Sequence, residues 1–422
     1  MTGFRDLRRN HDFTALWVGS TISELGTRVS MFVLPLLAYA LTGSTVVAGI
    51  AGATELLGMA LALLPAGVVA DRVHRGRLMR ATAAVGALAY TTLVVACLTD
   101  SLTVPHLLAA GLVTGAAAGF FAPAESSAVR AVVPVEQMTT ALSQVQARQH
   151  VASLVGGPLG GALYSFARWV PFLFDAVTFA VSWVLLGRIR SDLSPAPRPD
   201  VRRPAWRDLA EGLTFTWQRP VFRTLMLWSP CANLAVNALF MAAALRLIEA
   251  GYPAWSIGLV ETAAGVCGIL GALAAPWLTQ RFATGALTVV VAWSFVPLLL
   301  PLVFWNHPAV VAAALSLGVF LNPAGNAGIG AYKMSITPPE IVGRVQSVNQ
   351  FLGWSTMPVA PVLAGVLLAT LGGPATMLAL AGLVALVALI PTLSRSVRSV
   401  PKPAEWAAPA PAPAARELVE VA

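Results

Sequence analysis

The chain has 422 residues, of which 57% are apolar and only 11% are Asp, Glu, Lys or Arg, against about 25% charged in soluble globular chains. A soluble fold of this length could not hide that much apolar surface, which sets aside soluble enzymes and soluble nucleic-acid readers. The formal charge of +8 reads instead as a topological bias with affinity for anionic lipid head groups.

Crossing a bilayer core takes about 20 apolar residues, and twelve such runs follow one another at 13–40, 44–69, 77–98, 103–124, 142–166, 169–187, 220–247, 254–278, 284–305, 308–332, 345–370 and 373–393. Lys and Arg accumulate in cytoplasmic loops. With both termini inside, Arg5, Arg8, Arg9, the Arg72 to Arg80 group and the basic residues from Arg188 to Arg223 share one side, and Arg168 and Arg246 the other. The first run is too long for the apolar region of a cleavable signal, so no removed leader is expected. Cys97, Cys231 and Cys267 lie in separate runs without CxxC spacing and read as packing residues, with neither a disulfide nor a metal implied.

In the first run Glu24 precedes Arg28 by one helical turn, the favourable order for a pair on one face. A bare charge at the bilayer centre costs about 2.5–3.5 kcal/mol on insertion scales. The pair is therefore either a self-neutralising brace or a place where substrate or proton competes for one member. In the second run Glu55 has no basic residue within a turn. It is expected to be protonated or to face water, because desolvation disfavours the charged form; proton site, cavity wall and structural hydrogen bond all remain open. That run ends in LPAGVVADRVHRGRLMR (64–80), a turn carrying Gly67, Asp71, Arg72, Arg75 and Arg77, in which Asp71 and Arg75 are spaced for a local salt bridge.

Gly111, Gly115 and Gly119 in the fourth run are read as packing, and Glu125 and Arg130 at its inner end as an inner gate or a surface pair. The fifth run opens on Arg148, Gln149 and His150 and contains GGPLGG (156–161). There Gly157 and Gly161 allow close approach of another backbone, and Pro158 removes a backbone donor. Asp175, in the outer third of the sixth run, is expected to be solvated and structural.

Residues 188–219 break into a basic, Pro-rich connection ending in the amphipathic WRDLAEGLTFTW. The two flanking parts repeat each other: FFAPAESSA (120–128) matches FLNPAGNAG (320–328), VPVEQ (133–137) matches TPPEI (337–341), and Pro158 answers Pro361. The simplest account is a duplicated six-helix unit: residues 1–187, a linker 188–219, residues 220–395, and a disordered Pro/Ala-rich tail 396–422. Glu261 in the eighth run precedes Arg281 by 20 residues and Glu55 precedes Arg72 by 17, one turn apart, so both are expected to face a central cavity. Asn322 and Asn326 form a polar break in the tenth run.

Three stretches carry a family resemblance. The Gly67, Asp71-Arg72, Arg75, Arg77 loop resembles the one between the second and third helices of the major facilitator superfamily. GGPLGG resembles the antiporter motif of its drug exporters, with Ser153 where Gly is usual. Gly343, Arg344 and Val345 within TPPEIVGRVQS resemble a signature of the macrolide-efflux and siderophore-exporter branch. The resemblance implies an all-α membrane protein of twelve transmembrane helices in two pseudo-symmetric six-helix bundles, holding substrate near the midplane.

It further implies a monomeric bacterial plasma-membrane exporter of an amphipathic small molecule, driven by the proton gradient with no cofactor. Read from the residues themselves and not from the resemblance, Glu24, Arg28, Glu55, Glu261, Asn322 and Asn326 are expected to line the site. Gly67, Asp71, Arg72, Arg75, Arg77, Gly343 and Arg344 would gate it, Asp71 latching onto a helix N-terminus of the other half, and Gly157, Pro158 and Gly161 would form the export hinge. An uptake permease and a transporter-like sensor are the alternatives. No P-loop, HExxH or nucleophile elbow is present, so an enzyme is not expected.

Overall fold

The computed structural model describes residue 7 and residues 9–70, 72–194, 205–338 and 341–406. The first half is built from α1 (His11–Thr42), α2 (Thr45–Ala70), α3 (Arg75–Leu98), α4 (Val104–Val132), α5 (Met138–Phe166) and α6 (Val170–Leu186). A surface helix, α7 (Ala205–Gln218), precedes the second half: α8 (Pro220–Glu249), α9 (Ala254–Arg281), α10 (Thr284–Trp293), α11 (Val296–Phe304), α12 (Pro308–Phe320), α13 (Asn322–Ser335), α14 (Val342–Ser355), α15 (Val359–Leu371) and α16 (Gly373–Leu393). Two short helices, α17 (Arg395–Arg398) and α18 (Pro403–Trp406), follow.

Among the described residues, ten helices or in-line pairs are long and apolar enough to cross a bilayer. With α5, 29 residues long, and the apolar α6, 17 residues long, they make the twelve spans. The three paired spans are α10/α11, α12/α13 and α14/α15, and a proline stands at or just after each break: Pro297, Pro323 and Pro358. Proline cannot donate the backbone hydrogen bond that would carry the helix through, and its ring crowds the carbonyl four residues earlier. Ordinary capping sets other ends. Asn10 accepts from Phe13 N at 3.0 Å to start α1, and Gly43, at φ 64°, ends it in the left-handed region that glycine enters without strain.

Within the first half, α2 packs on α4, and α1 and α3 on α6. The halves meet along two helix pairs, α5 with α9 and α2 with α15. Small residues make both approaches: Gly157 and Gly161 face Gly258 and Ala254, while Gly49 faces Pro361 and Gly365. Thr45 Oγ1 donates to the Gly365 carbonyl at 3.1 Å. The two contacts are copies of each other, since 209 positions separate Gly49 from Gly258 and Thr45 from Ala254, and 204 separate Gly157 from Pro361 and Gly161 from Gly365. The duplicated unit therefore lends each half one glycine-lined face for the other, and both contacts lie toward the Thr45, Gly161, Ala254 and Gly365 end.

Two expectations need correction. α4 continues past residue 124 to Val132, so Glu125 lies inside the helix. There it is bound by Arg148 of α5, with side chains 11% and 2% exposed. This is a buried pair and neither a surface contact nor a free gate. Removing one partner of such a pair costs about 3–5 kcal/mol, so Arg148→Ala should lower the unfolding midpoint markedly; an unchanged midpoint would show that the pair contributes nothing. Second, residues 396–406 are ordered, contrary to the expected tail. Gly285 N and Thr284 N donate to the carbonyls of Val400 and Pro401, and Trp406 donates to Pro401 and meets the Tyr332 ring edge-on at 5.4 Å. The first turn of α10 needs acceptors for its free amides, and this strap supplies them. Residues 407–422 lie outside the described residues. The amphipathic linker helix is docked on α14, where Glu211 accepts from Arg344 Nη1 at 2.6 Å and Gly212 sits against the Arg344 backbone.

Candidate functional site

A cavity of about 310 Å³ lies between the halves, of a size suited to a small molecule. Arg28 and Phe32 of α1, Gly52 and Leu56 of α2, and Ser153 and Gly157 of α5 face it from the first half. Asn237, Phe240 and Met241 of α8, Val260 and Glu261 of α9, and Pro361 of α15 face it from the second. The wall is mainly apolar, with Phe32, Phe240 and Met241 among its lining and two charged residues standing in it.

Those charges are unlike in their bonding. Arg28 donates from Nε and Nη2 to Glu24 Oε1 at 3.0 and 2.8 Å, so its charge is matched from its own helix. Glu24 does not line the cavity itself; it holds Arg28. Glu261 has no ion-pair partner among the described residues. The Gly156-Gly157 pair makes room for both: a Cβ on Gly156 would run into Arg28 Cβ, and one on Gly157 would lie 2.6 Å from Glu261 Oε2. Gly156, and Gly157 of the expected hinge, thus clear space for the two charged side chains, one toward each half.

Glu55 does not share this cavity. It is 4% exposed, turned into the first half against α3 and α4, where Tyr90 donates to its Oε1 at 3.4 Å and Oε2 has no partner. The repeat explains the error. The position matching Glu261 is Gly52, 209 residues earlier, and Gly52 does line the cavity. Three further residues turn a helix about 60° short of a full turn, enough to carry Glu55 from the cavity to the α4 face, where Gly115 fits against its backbone. Asp175 is likewise not solvated: it is 0% exposed and accepts from Ser30 Oγ and Thr178 Oγ1. Asn322 and Asn326 line a separate cavity of about 100 Å³ inside the second half, with Trp228, Asn233 and Phe295.

In the charged loop, Asp71 lies outside the described residues, and with it the latch and the Asp71–Arg75 pair. Gly67 belongs to α2. Arg72 and Arg77 are exposed. Arg75 binds the start of the linker instead, its N donating to Leu193 O at 3.2 Å and its Nη1 to Ser194 O at 3.4 Å. Gly343 has open space where a Cβ would stand, beside the Arg344–Glu211 contact. Among the described residues no cluster of His, Cys, Asp and Glu fit to hold a metal occurs.

Sequence reasoning missed the aromatic and methionine wall, because Phe32, Phe240 and Met241 stand in spans where most positions are apolar and large apolar side chains do not stand out. Tyr90 and Ser30 were also missed. A tyrosine and a serine inside apolar runs are weak signals alone, and only the packing of α3 and α1 on α6 brings them to one point.

Two helical bundles meeting across a cavity of small-molecule size form a multi-pass membrane transporter, not an enzyme. The chain belongs to the Major Facilitator Superfamily, whose family model matches residues 16–353. It is 26% identical over 387 residues to the multidrug efflux pump Tap of Mycolicibacterium fortuitum, covering 87% of this chain and 90% of that one. Among solved structures it resembles the nucleoside transporter NupG, with a TM-score of 0.70, 10% identity and coverage of 90% and 98% of the two chains. It also resembles a bacterial homologue of the iron transporter ferroportin in its inward-facing state, with a TM-score of 0.70, 16% identity and coverage of 92% and 98%. At these identities the structural likeness speaks for the fold.

Proposed function

We propose that the protein exports neutral or cationic amphipathic small molecules from the bacterial cytoplasm in exchange for protons, as a monomer with both termini inside and without a cofactor. The observation that carries this reading is Glu261: a carboxyl group open to the cavity between the halves, faced by apolar walls, while the one cation beside it, Arg28, is already bound by Glu24. A cationic substrate finds its counter-charge at Glu261, and a proton neutralises the same group when the substrate leaves. The similarity to a multidrug efflux pump supports the direction and the substrate class.

Alternating access follows from the two glycine-lined contacts. Both hold together the end that carries Thr45 and Gly365, while Arg72, Arg77 and Arg188 mark the opposite end. With the basic end taken as cytoplasmic, this is the state that receives substrate from inside. Rocking the halves apart at Gly157/Gly258 and Gly49/Pro361 would expose Glu261 to the exterior, and Asp71 would latch the basic end in that state. In cells, expression should lower the steady-state accumulation of ethidium, and a protonophore should abolish the difference. Equal accumulation with and without the protein, across a panel of amphipaths, would overturn the reading.

A further inference from the structure

The second half holds a pocket toward its basic end that the central cavity does not include. It has a volume of about 350 Å³ and lies between α8, α13 and α14, with Ser229, Lys333, Gln346, Asn349 and Gln350 among its lining. Small-molecule sites run from about 300 to 1,000 Å³. Lys333 is the one charged residue in the wall, half-buried, and its ammonium has neither an ion pair nor a hydrogen bond among the described residues. A lysine near the end of a span ordinarily turns its head group out to the interface, whereas this one lines a pocket beside three amides. Those amides keep donors free: the side chains of Gln346 and Gln350 make no hydrogen bond among the described residues, and Asn349 gives one amide hydrogen to Val345 O at 2.7 Å and keeps the other.

The duplicated unit shows that the fold does not require this polarity. Positions 204 apart match between α5 and α14, so Gln346 answers Leu142, Asn349 answers Val145 and Gln350 answers Gln146, and each pair shares the same degree of exposure. Between the matched stretches before and after it, the second half has residues 329–336 where the first has only 129–132, and Lys333 stands in the longer piece. In the first half Val129, Val132, Val133 and Ala141 close the corresponding place as an apolar cluster, with Val145 packed against it. Partly buried polar groups that pair with nothing are unfavourable for folding, so the exchange of an apolar plug for a cation and amides calls for a ligand.

We propose that this pocket binds a small anion carrying a phosphate or carboxylate group, at a site separate from the Glu261 cavity. Lys333 supplies the charge, acting on the anionic group as a point charge, and the amide hydrogens of Gln346, Asn349 and Gln350 supply the directed hydrogen bonds. Met334, Val342 and Val345 line the rest of the wall, so a small apolar body beside the anionic group is accommodated. The charge that attracts the anion repels the cations assigned to Glu261, and the two sites therefore take different molecules. Two sources offer such a group, a soluble compound on the basic side and the head group of an anionic lipid, and the experiment separates them.

The chain has just two lysines, Lys333 and Lys402, so reductive ¹³C-methylation of the purified full-length protein tags them and the terminal amine alone, and Lys402→Arg assigns the signals. In phosphatidylcholine nanodiscs, phenyl phosphate should shift the Lys333 signal saturably and leave that of Lys402 in place; this result assigns the site to a soluble anion. A Lys333 signal displaced in phosphatidylglycerol nanodiscs before any addition, and moved no further by phenyl phosphate, assigns it to the lipid head group. Calorimetric titration of the untagged protein with phenyl phosphate should show affinity reduced roughly tenfold or more in Lys333→Gln and about threefold in Asn349→Val. The second variant copies the residue of the first half, so it keeps the proposal open to test should Lys333→Gln fail to fold. A Lys333 signal that moves no more than that of Lys402 in both lipids, or an affinity unchanged in both variants, would overturn the proposal. Neither measurement involves transport, so the site stands or falls apart from the exporter reading, which the ethidium assay judges.

Discussion

Gly258→Ala is expected to drive the protein out of the state described above and open the Thr45/Gly365 end. A Cβ on Gly258 would lie 2.4 Å from the Gly157 carbonyl oxygen and 2.7 Å from Pro158 N, and both are backbone atoms that no rotamer change can move aside. Overpacking of this kind costs about 1–3 kcal/mol, and the clash vanishes when the halves part. The substitution therefore raises the energy of one state and leaves the other alone, a shift of roughly 5- to 150-fold in their ratio. Because the contacts are duplicated, Gly365→Ala should act in the same direction: its Cβ would lie 2.4 Å from the Thr45 carbonyl oxygen. Spin labels at Ser101→Cys and Trp305→Cys, in a background lacking Cys97, Cys231 and Cys267, report the distance across that end. A distribution that does not lengthen would mean the glycine contacts are not the pivot.

Glu261→Gln should remove transport of cations while leaving the fold intact. Glutamine keeps the shape that Gly157 accommodates, so the α5/α9 contact survives. What is lost is a charge in a partly dry cavity, where truncating one member of a charge pair costs about 2–5 kcal/mol, roughly 30-fold or more in affinity for a monovalent cation. Neutral amphipaths should bind the variant nearly as well as the parent but without releasing a proton. Titrating ethidium fluorescence against both proteins checks this, and equal affinities would place the cation elsewhere.

Much of the fold was legible because bilayer solvation imposes long apolar runs, and loop arginines give them a direction. The twelve spans followed from that, and the repeat from FFAPAESSA and FLNPAGNAG. The site was less legible, for a geometric reason. Glu55 and Glu261 are both lone carboxylates at similar depth in matching helices, yet three residues of register separate a side chain in the cavity from one sealed against α4. Asp175 misled in another way, since depth along a helix says nothing of which neighbours cover it. Gly26 and Ser30, four residues apart on α1, carry that information, but only once α6 is known to pack there. Asn322 and Asn326 were rightly seen as a polar break, and Pro323 explains the break. That they serve a cavity within the second half depends on how α13 meets α8, which no local pattern encodes. GGPLGG carried more than packing, because its first two glycines admit Arg28 and Glu261, residues far away in sequence.

The central claim, that a proton gradient drives export through the Glu261 cavity, is tested most directly in everted membrane vesicles carrying an imposed interior-acid gradient. Ethidium should accumulate inside, proton efflux should rise with it, and both should disappear in Glu261→Gln or when the gradient is collapsed. Accumulation that persists without the gradient, or in Glu261→Gln at the parent rate, would contradict the account.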